Sequence, residues 1–141
     1  SSTNWTERIG PVAAIATINK YIKKDVSTHI IDIGNKFINI LKIKSKKYSL
    51  PLNISGLPSL ISFSFDNVKN QEVMTFFSIE MQKRGILGFR QFKPSFSHNE
   101  KDLQIYSDVI DEVFDLIAKE KWKDIFNSSV AHTGFKRLTT E

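Results

Sequence analysis

Hydrophobic and polar positions along this chain follow two periods, and each predicts its own elements. From about Gly10 to Lys24, Val12, Ala13, Ala16 and Ile22 recur near helical spacing, which predicts a first helix. Pro11 suits its first turn, where a missing N–H leaves no bond unmade. A second helix follows, with Asp25 or Ser27 available as its cap. Its apolar stripe is Ile30, Ile33, Phe37 and Ile40 or Leu41, three or four residues apart. The run Lys42-Ile43-Lys44-Ser45-Lys46-Lys47 ends that helix, where cations suit the carbonyl-rich terminus.

Pro51 breaks the helical period. Leu52–Ser55 reads as a short strand, and Gly56-Leu57-Pro58 as a turn. Ile61, Phe63 and Phe65 then alternate with Ser62 and Ser64, a period of two that predicts a strand with one oily and one serine-bearing face. The oily face belongs on helices. The serine face is partly solvated or meets another domain. Asn67 to Asn70 is a polar turn. A third helix is predicted from about Gln71 to Arg84, with Val73, Phe76, Phe77 and Met81 inward, and Gly85 suits the left-handed position beyond its end. Ile86-Leu87-Gly88 reads as a short strand and Gln91–Ser97 as irregular or extended. Asn99 caps the last long helix, with Asp102 in its first turn and Leu103, Tyr106, Val109 or Ile110, Val113 and Ile117 as its stripe. The pattern degrades after Lys119, and residues 122–141 read as an extended tail that needs a neighbour. Strands in mid-chain flanked by long helices give an α+β fold: a small, mainly antiparallel sheet of about three strands covered by helices.

The 141 residues suit one domain. Eleven phenylalanines make an aromatic core the expectation. The absence of cysteine excludes disulfides and thiolate metal sites. No apolar stretch reaches the length of a membrane span. The net charge of +5 is modest, and much of it lies in the Lys42–Lys47 run. That run could hold an anionic polymer, but only Tyr48 adjoins it, and no nucleic-acid motif is present.

A self-sufficient catalyst should leave a visible constellation. His29, His98 and His132 form no metal-ligating pair in sequence. The glycines are dispersed, so there is no phosphate loop, and no nucleophile elbow occurs. Asp108, Asp111, Glu112 and Asp115 fit a solvated helix face better than acid–base work. On these grounds the chain is a helper domain rather than a complete enzyme.

Three features together resemble class-III pyridoxal-phosphate (PLP)-dependent aminotransferases of the glutamate-1-semialdehyde 2,1-aminomutase type. The first is Ser1-Ser2-Thr3-Asn4-Trp5 leading into the Ala-rich stretch at Pro11 to Thr17, similar to the junction between that family's large and small domains. The second is Gly85-Ile86-Leu87 through Gln91-Phe92 to Pro94-Ser95-Phe96-Ser97-His98, similar to a segment that precedes an acidic helix start. The third is the order of elements. The resemblance covers the chain to about Lys121.

The resemblance implies a C-terminal small domain of a longer, cytoplasmic, dimeric enzyme, with residues 1–9 at the cofactor edge. The lysine that carries the cofactor would lie in the large domain of the same polypeptide, outside this chain, so the chain alone should be inactive. Ser2 and Thr3 would donate to the cofactor phosphate. Arg90 is the candidate grip on a substrate carboxylate, against the alternative of an ordinary surface arginine. The substrate would be a small molecule exchanging an amino group with a keto or aldehyde compound. Lys93 stands where true aminomutases resemble Gln-Phe-Glu, a carboxylate turned cation that favours an ordinary aminotransferase over the mutase reaction. A stand-alone basic binding module built on Lys42 to Lys47 is the alternative from another class.

Overall fold

The computed structural model describes residues 7–123 and 130–131. Among these residues four α-helices and three strands run in the order α1 (Ile9–Lys23), α2 (Val26–Tyr48), β1 (Leu52–Leu57), β2 (Leu60–Phe65), α3 (Asn70–Lys83), β3 (Gln91–Phe92) and α4 (Glu100–Ala118). The strands form an antiparallel sheet in the order β1-β2-β3, so the fold is α+β as expected.

Strand alternation sets the layers. Ile61, Phe63 and Phe65 are buried on one face of β2, and α2, α3 and α4 cover that face. The core is aromatic. Phe37 of α2 stacks on Phe92 of β3 at 3.9 Å between ring centroids and meets Tyr106 of α4 edge-on at 5.0 Å. Phe77 of α3 and Phe114 of α4 pack against Phe65 and each other. Offset and edge-on pairs of this kind add to the burial of ring area itself.

Helix ends follow local chemistry, with two adjustments to expectation. Asn99 caps α4 in a full capping box: its side chain accepts from Lys101 and Asp102 N–H, and Asp102 accepts the Asn99 N–H. Gly85 takes a φ of 80° beyond α3, and the Ile86 N–H returns to the Met81 carbonyl. At α2, Asp25 does occupy the cap position, but in the left-handed region (φ 47°), and its side chain accepts from the Thr28 hydroxyl instead of a helix N–H. Ser27 lies inside the helix.

The strand expected at Ile86-Leu87-Gly88 does not form. Ile86 N–H is committed to the end of α3 and Gly88 N–H to Ile86 O, leaving little backbone to pair with a neighbour. The third strand lies instead at Gln91–Phe92, where Ile61 pairs with Phe92 and Ser62 with Gln91. β1 also runs two residues further than expected, through Gly56 and Leu57, so the turn is Pro58-Ser59. At residues 122–123 the chain is folded rather than extended: Lys121–Lys123 form a 3₁₀ turn, and Trp122 joins the core.

α1 stands apart. It has no buried residue. Pro11, Ile15, Ile18 and Ile22 recur at spacings of four, three and four, so they share one side, and the three isoleucines are 57–71% exposed. The other side of the helix, with Thr17, Lys20, Tyr21 and Lys24, faces Val26 and Phe96. Among the described residues no helix is long and apolar enough to cross a membrane.

Candidate functional site

Away from the helices the sheet presents its polar face. β1 and β2 pair so that Asn53 lies opposite Ser64 and Ser55 opposite Ser62. Side chains directly across an antiparallel pair are close neighbours, so these four form one polar patch. β3 extends it: Gln91 pairs with Ser62, and the Phe63 N–H donates to the Arg90 carbonyl at 2.8 Å. The result is a shallow depression of about 390 Å³ lined by Asn53, Ser55, Ser62, Ser64, Phe89, Arg90 and Gln91, with part of Phe63 as its floor.

Arg90 is the charged group of that depression. Its guanidinium lies 5.6 Å from the Phe89 ring, and Nη2 donates to Gln71 Oε1. Nε is buried and has no hydrogen-bond partner. No acid among the described residues forms an ion pair with it; Asp32, Glu80, Asp111, Glu112 and Asp115 are paired with other cations. A half-buried guanidinium without a carboxylate, beside hydroxyl donors, suits an incoming anion, and its planar fork matches a carboxylate. The serines here have no histidine or acid in the lining to activate them, so the patch can bind and orient but not attack.

A larger hollow of about 460 Å³ lies between β3, Leu87 and the start of α4. Two of its ionisable groups are already employed in structure. Asp102 closes the capping box, and His98 Nδ1 accepts from the Ser95 N–H at 2.9 Å. Burial pushes the Tyr106 phenol up, which keeps it protonated. Lys93 sits on the rim of this hollow rather than beside Arg90.

The remaining candidates separate clearly. Ser2, Thr3 and His132 lie outside the described residues. His29 joins α2 to the end of the loop before α4, its Nε2 2.9 Å from the His98 carbonyl, with Phe96 edge-on at 5.1 Å. No group of three potential metal ligands gathers among the described residues. Of the basic run, Lys44 and Lys47 both close on Asp111 at 2.8 Å, tying α2 to α4. Burial alone would push the Asp111 carboxyl up, but the two lysines outweigh it and hold it at about 2. The acidic face of α4 is therefore partly an inter-helix latch: Glu112 likewise takes Arg84, just past the end of α3.

Sequence reasoning missed Gln71 and the pairing of Asn53 with Ser64. The alternation Asn53-x-Ser55 and Ser62-x-Ser64 was the available signal, once a two-residue turn fixed the register. Gln71 left no signal, since its role depends on where β3 falls.

No family model and no curated protein matches the chain. Among solved structures it is similar to one described as the PLP internal aldimine form of the Sphingopyxis sp. MTA144 FumI protein, at 17% identity and a TM-score of 0.71 over 77% of this chain. The chain spans 27% of the length of that structure. What the two have in common is a fold, shared over 77% of this chain with part of the FumI chain.

Proposed function

We propose that this chain is the C-terminal small domain of a PLP-dependent aminotransferase, and that its Arg90 face grips the anionic end of the amino or keto substrate. The observation that carries the reading is Arg90 itself: a half-buried guanidinium with an orphan Nε and no acid partner among the described residues, on a sheet face of hydroxyls. The likeness to a part of a protein described with PLP bound supports it. So does the bare side of α1, since an apolar stripe of this kind calls for cover, and the rest of the same polypeptide is the partner that the reading provides.

The described residues do not fit the covalent anchor of PLP. That role needs a lysine whose pKa is lowered by burial or by a cationic neighbour. Lys44, well covered at 18% side-chain exposure, is paired with Asp111, and no lysine lines the Arg90 face. PLP, when bound, supplies the electron sink for amino-group chemistry. This chain's part is to hold the substrate's far end, and that of Ser2 and Thr3 is to donate to the cofactor phosphate. Lys93 in place of a carboxylate favours transamination over the aminomutase reaction.

The test uses the complete polypeptide that carries this chain. It should take up PLP, and borohydride reduction followed by mass spectrometry should place the adduct on a lysine outside residues 7–123. Arg90→Ala should raise KM for a carboxylate-bearing substrate far more than it lowers kcat. An adduct on a lysine within 7–123, or an unchanged KM in the variant, would overturn the reading.

A further inference from the structure

Arg90 is held by a residue that also holds Ala131. Gln71 and Thr75 stand one turn apart at the start of α3. Thr75 Oγ1 donates to the Gln71 carbonyl at 2.7 Å and accepts the Ala131 N–H at 3.1 Å. Gln71 Nε2 donates to the Ala131 carbonyl, so both backbone polar groups of Ala131 are taken by α3. The other end of the same carboxamide, Oε1, accepts from Arg90 Nη2.

The chemistry of the partners fixes the amide's orientation. A carbonyl only accepts, and a guanidinium only donates. Turning the carboxamide over would set oxygen against oxygen and NH₂ against guanidinium, losing both bonds at once. The Gln71 side chain is therefore a two-ended strut with one end on Ala131. Among the described residues, Arg90 has no other hydrogen bond from its guanidinium, and its Nε gives one up in this rotamer. Remove Ala131 and the strut loses its fixed end.

We propose that Gln71 is a positioning residue, which couples the seating of Ala131 to the direction in which Arg90 points. Its value for substrate rests on the carboxylate-gripping role given to Arg90; the coupling itself does not. When Ala131 is bonded to α3, the arginine is aimed. When Ala131 leaves, it swings.

Nitrogen-15 relaxation of the Arg90 Nε–H in the full chain reads this directly. Three variants are compared with the unaltered chain: Gln71→Leu, Thr75→Val, and a chain ending at residue 129. In all three the Arg90 order parameter should fall into the flexible range, below about 0.6, while the α3 amides stay rigid. An Arg90 as ordered in the shortened chain as in the unaltered one would overturn the coupling, and so would a fall in Gln71→Leu alone. None of these readouts involves substrate, so failure here is distinct from failure of the carboxylate reading, which the KM of Arg90→Ala decides. In the complete enzyme, Gln71→Leu should raise KM by roughly tenfold, as expected for the loss of one charge-assisted bond, with kcat held.

Discussion

Gly34 in the middle of α2 lies directly against the carbonyl of Pro58 in the β1–β2 turn. A Cβ at Gly34 would sit 1.9 Å from that oxygen and 2.6 Å from the carbonyl carbon. The hairpin tip is seated on the helix backbone itself, with no side chain between.

Gly34→Ala should therefore destabilise the chain, even though alanine favours a helix interior by about 1 kcal/mol over glycine. The obstacle is backbone on both sides, so relief requires the helix or the hairpin to move. A net loss of about 1–3 kcal/mol is expected from such overpacking. Urea unfolding of the variant measures it, and a more stable variant would mean the hairpin shifts freely.

Phe37→Ala should cost more, about 3–5 kcal/mol. The ring is fully buried and touches Phe92, Tyr106 and Phe63, so it joins α2, α4, β2 and β3. Because Phe92 adjoins Gln91 in β3, the loss should also broaden the amide resonances of residues 89–92. Denaturant titration and a heteronuclear spectrum together check both effects.

Asp111 gives the chain an acid-sensitive contribution. Its folded carboxyl titrates at about 2, below the ordinary 3.8, because Lys44 and Lys47 outweigh the cost of burial. A carboxyl depressed on folding stabilises above its unfolded value and loses that contribution as pH falls through the folded one. The loss should run from about pH 4 to about pH 2 and amount to roughly 1–2 kcal/mol after solvent screening. Asp111→Asn should be less stable than the unaltered chain at pH 7 and should show a flatter decline over that window.

Ile15→Lys with Ile18→Lys should leave the unfolding free energy of the chain within about 0.5 kcal/mol of its original value, as surface changes do. Both residues are more than half exposed on a helix that buries nothing. Solubility should rise. A large drop in cooperativity would mean the stripe is covered within this chain after all.

The helices were legible in the sequence because their stripes are long and their stops are chemical: Asn99 with Asp102, Gly85, and the lysines closing α2. β2 was legible from alternation alone. β3 was not. Its two residues carry no period, and the choice between residues 86–88 and 91–92 turns on which N–H groups the end of α3 has already taken. Arg90 could be picked out as a candidate from the motif that surrounds it. Its missing acid partner and its tie to Gln71 depend on a contact between positions 19 apart, which no local pattern encodes.

The uncovered aliphatic side of α1 divides the chain's tolerance to change into two maps. A screen that scores only whether this unit folds should find Ile15, Ile18 and Ile22 as permissive as any lysine-rich surface, while Phe37 and Phe77 forbid almost everything. A screen that scores the work of the whole polypeptide should find those same isoleucines restrictive. The difference between the two maps would outline the footprint of whatever rests on α1, without a structure of the assembly.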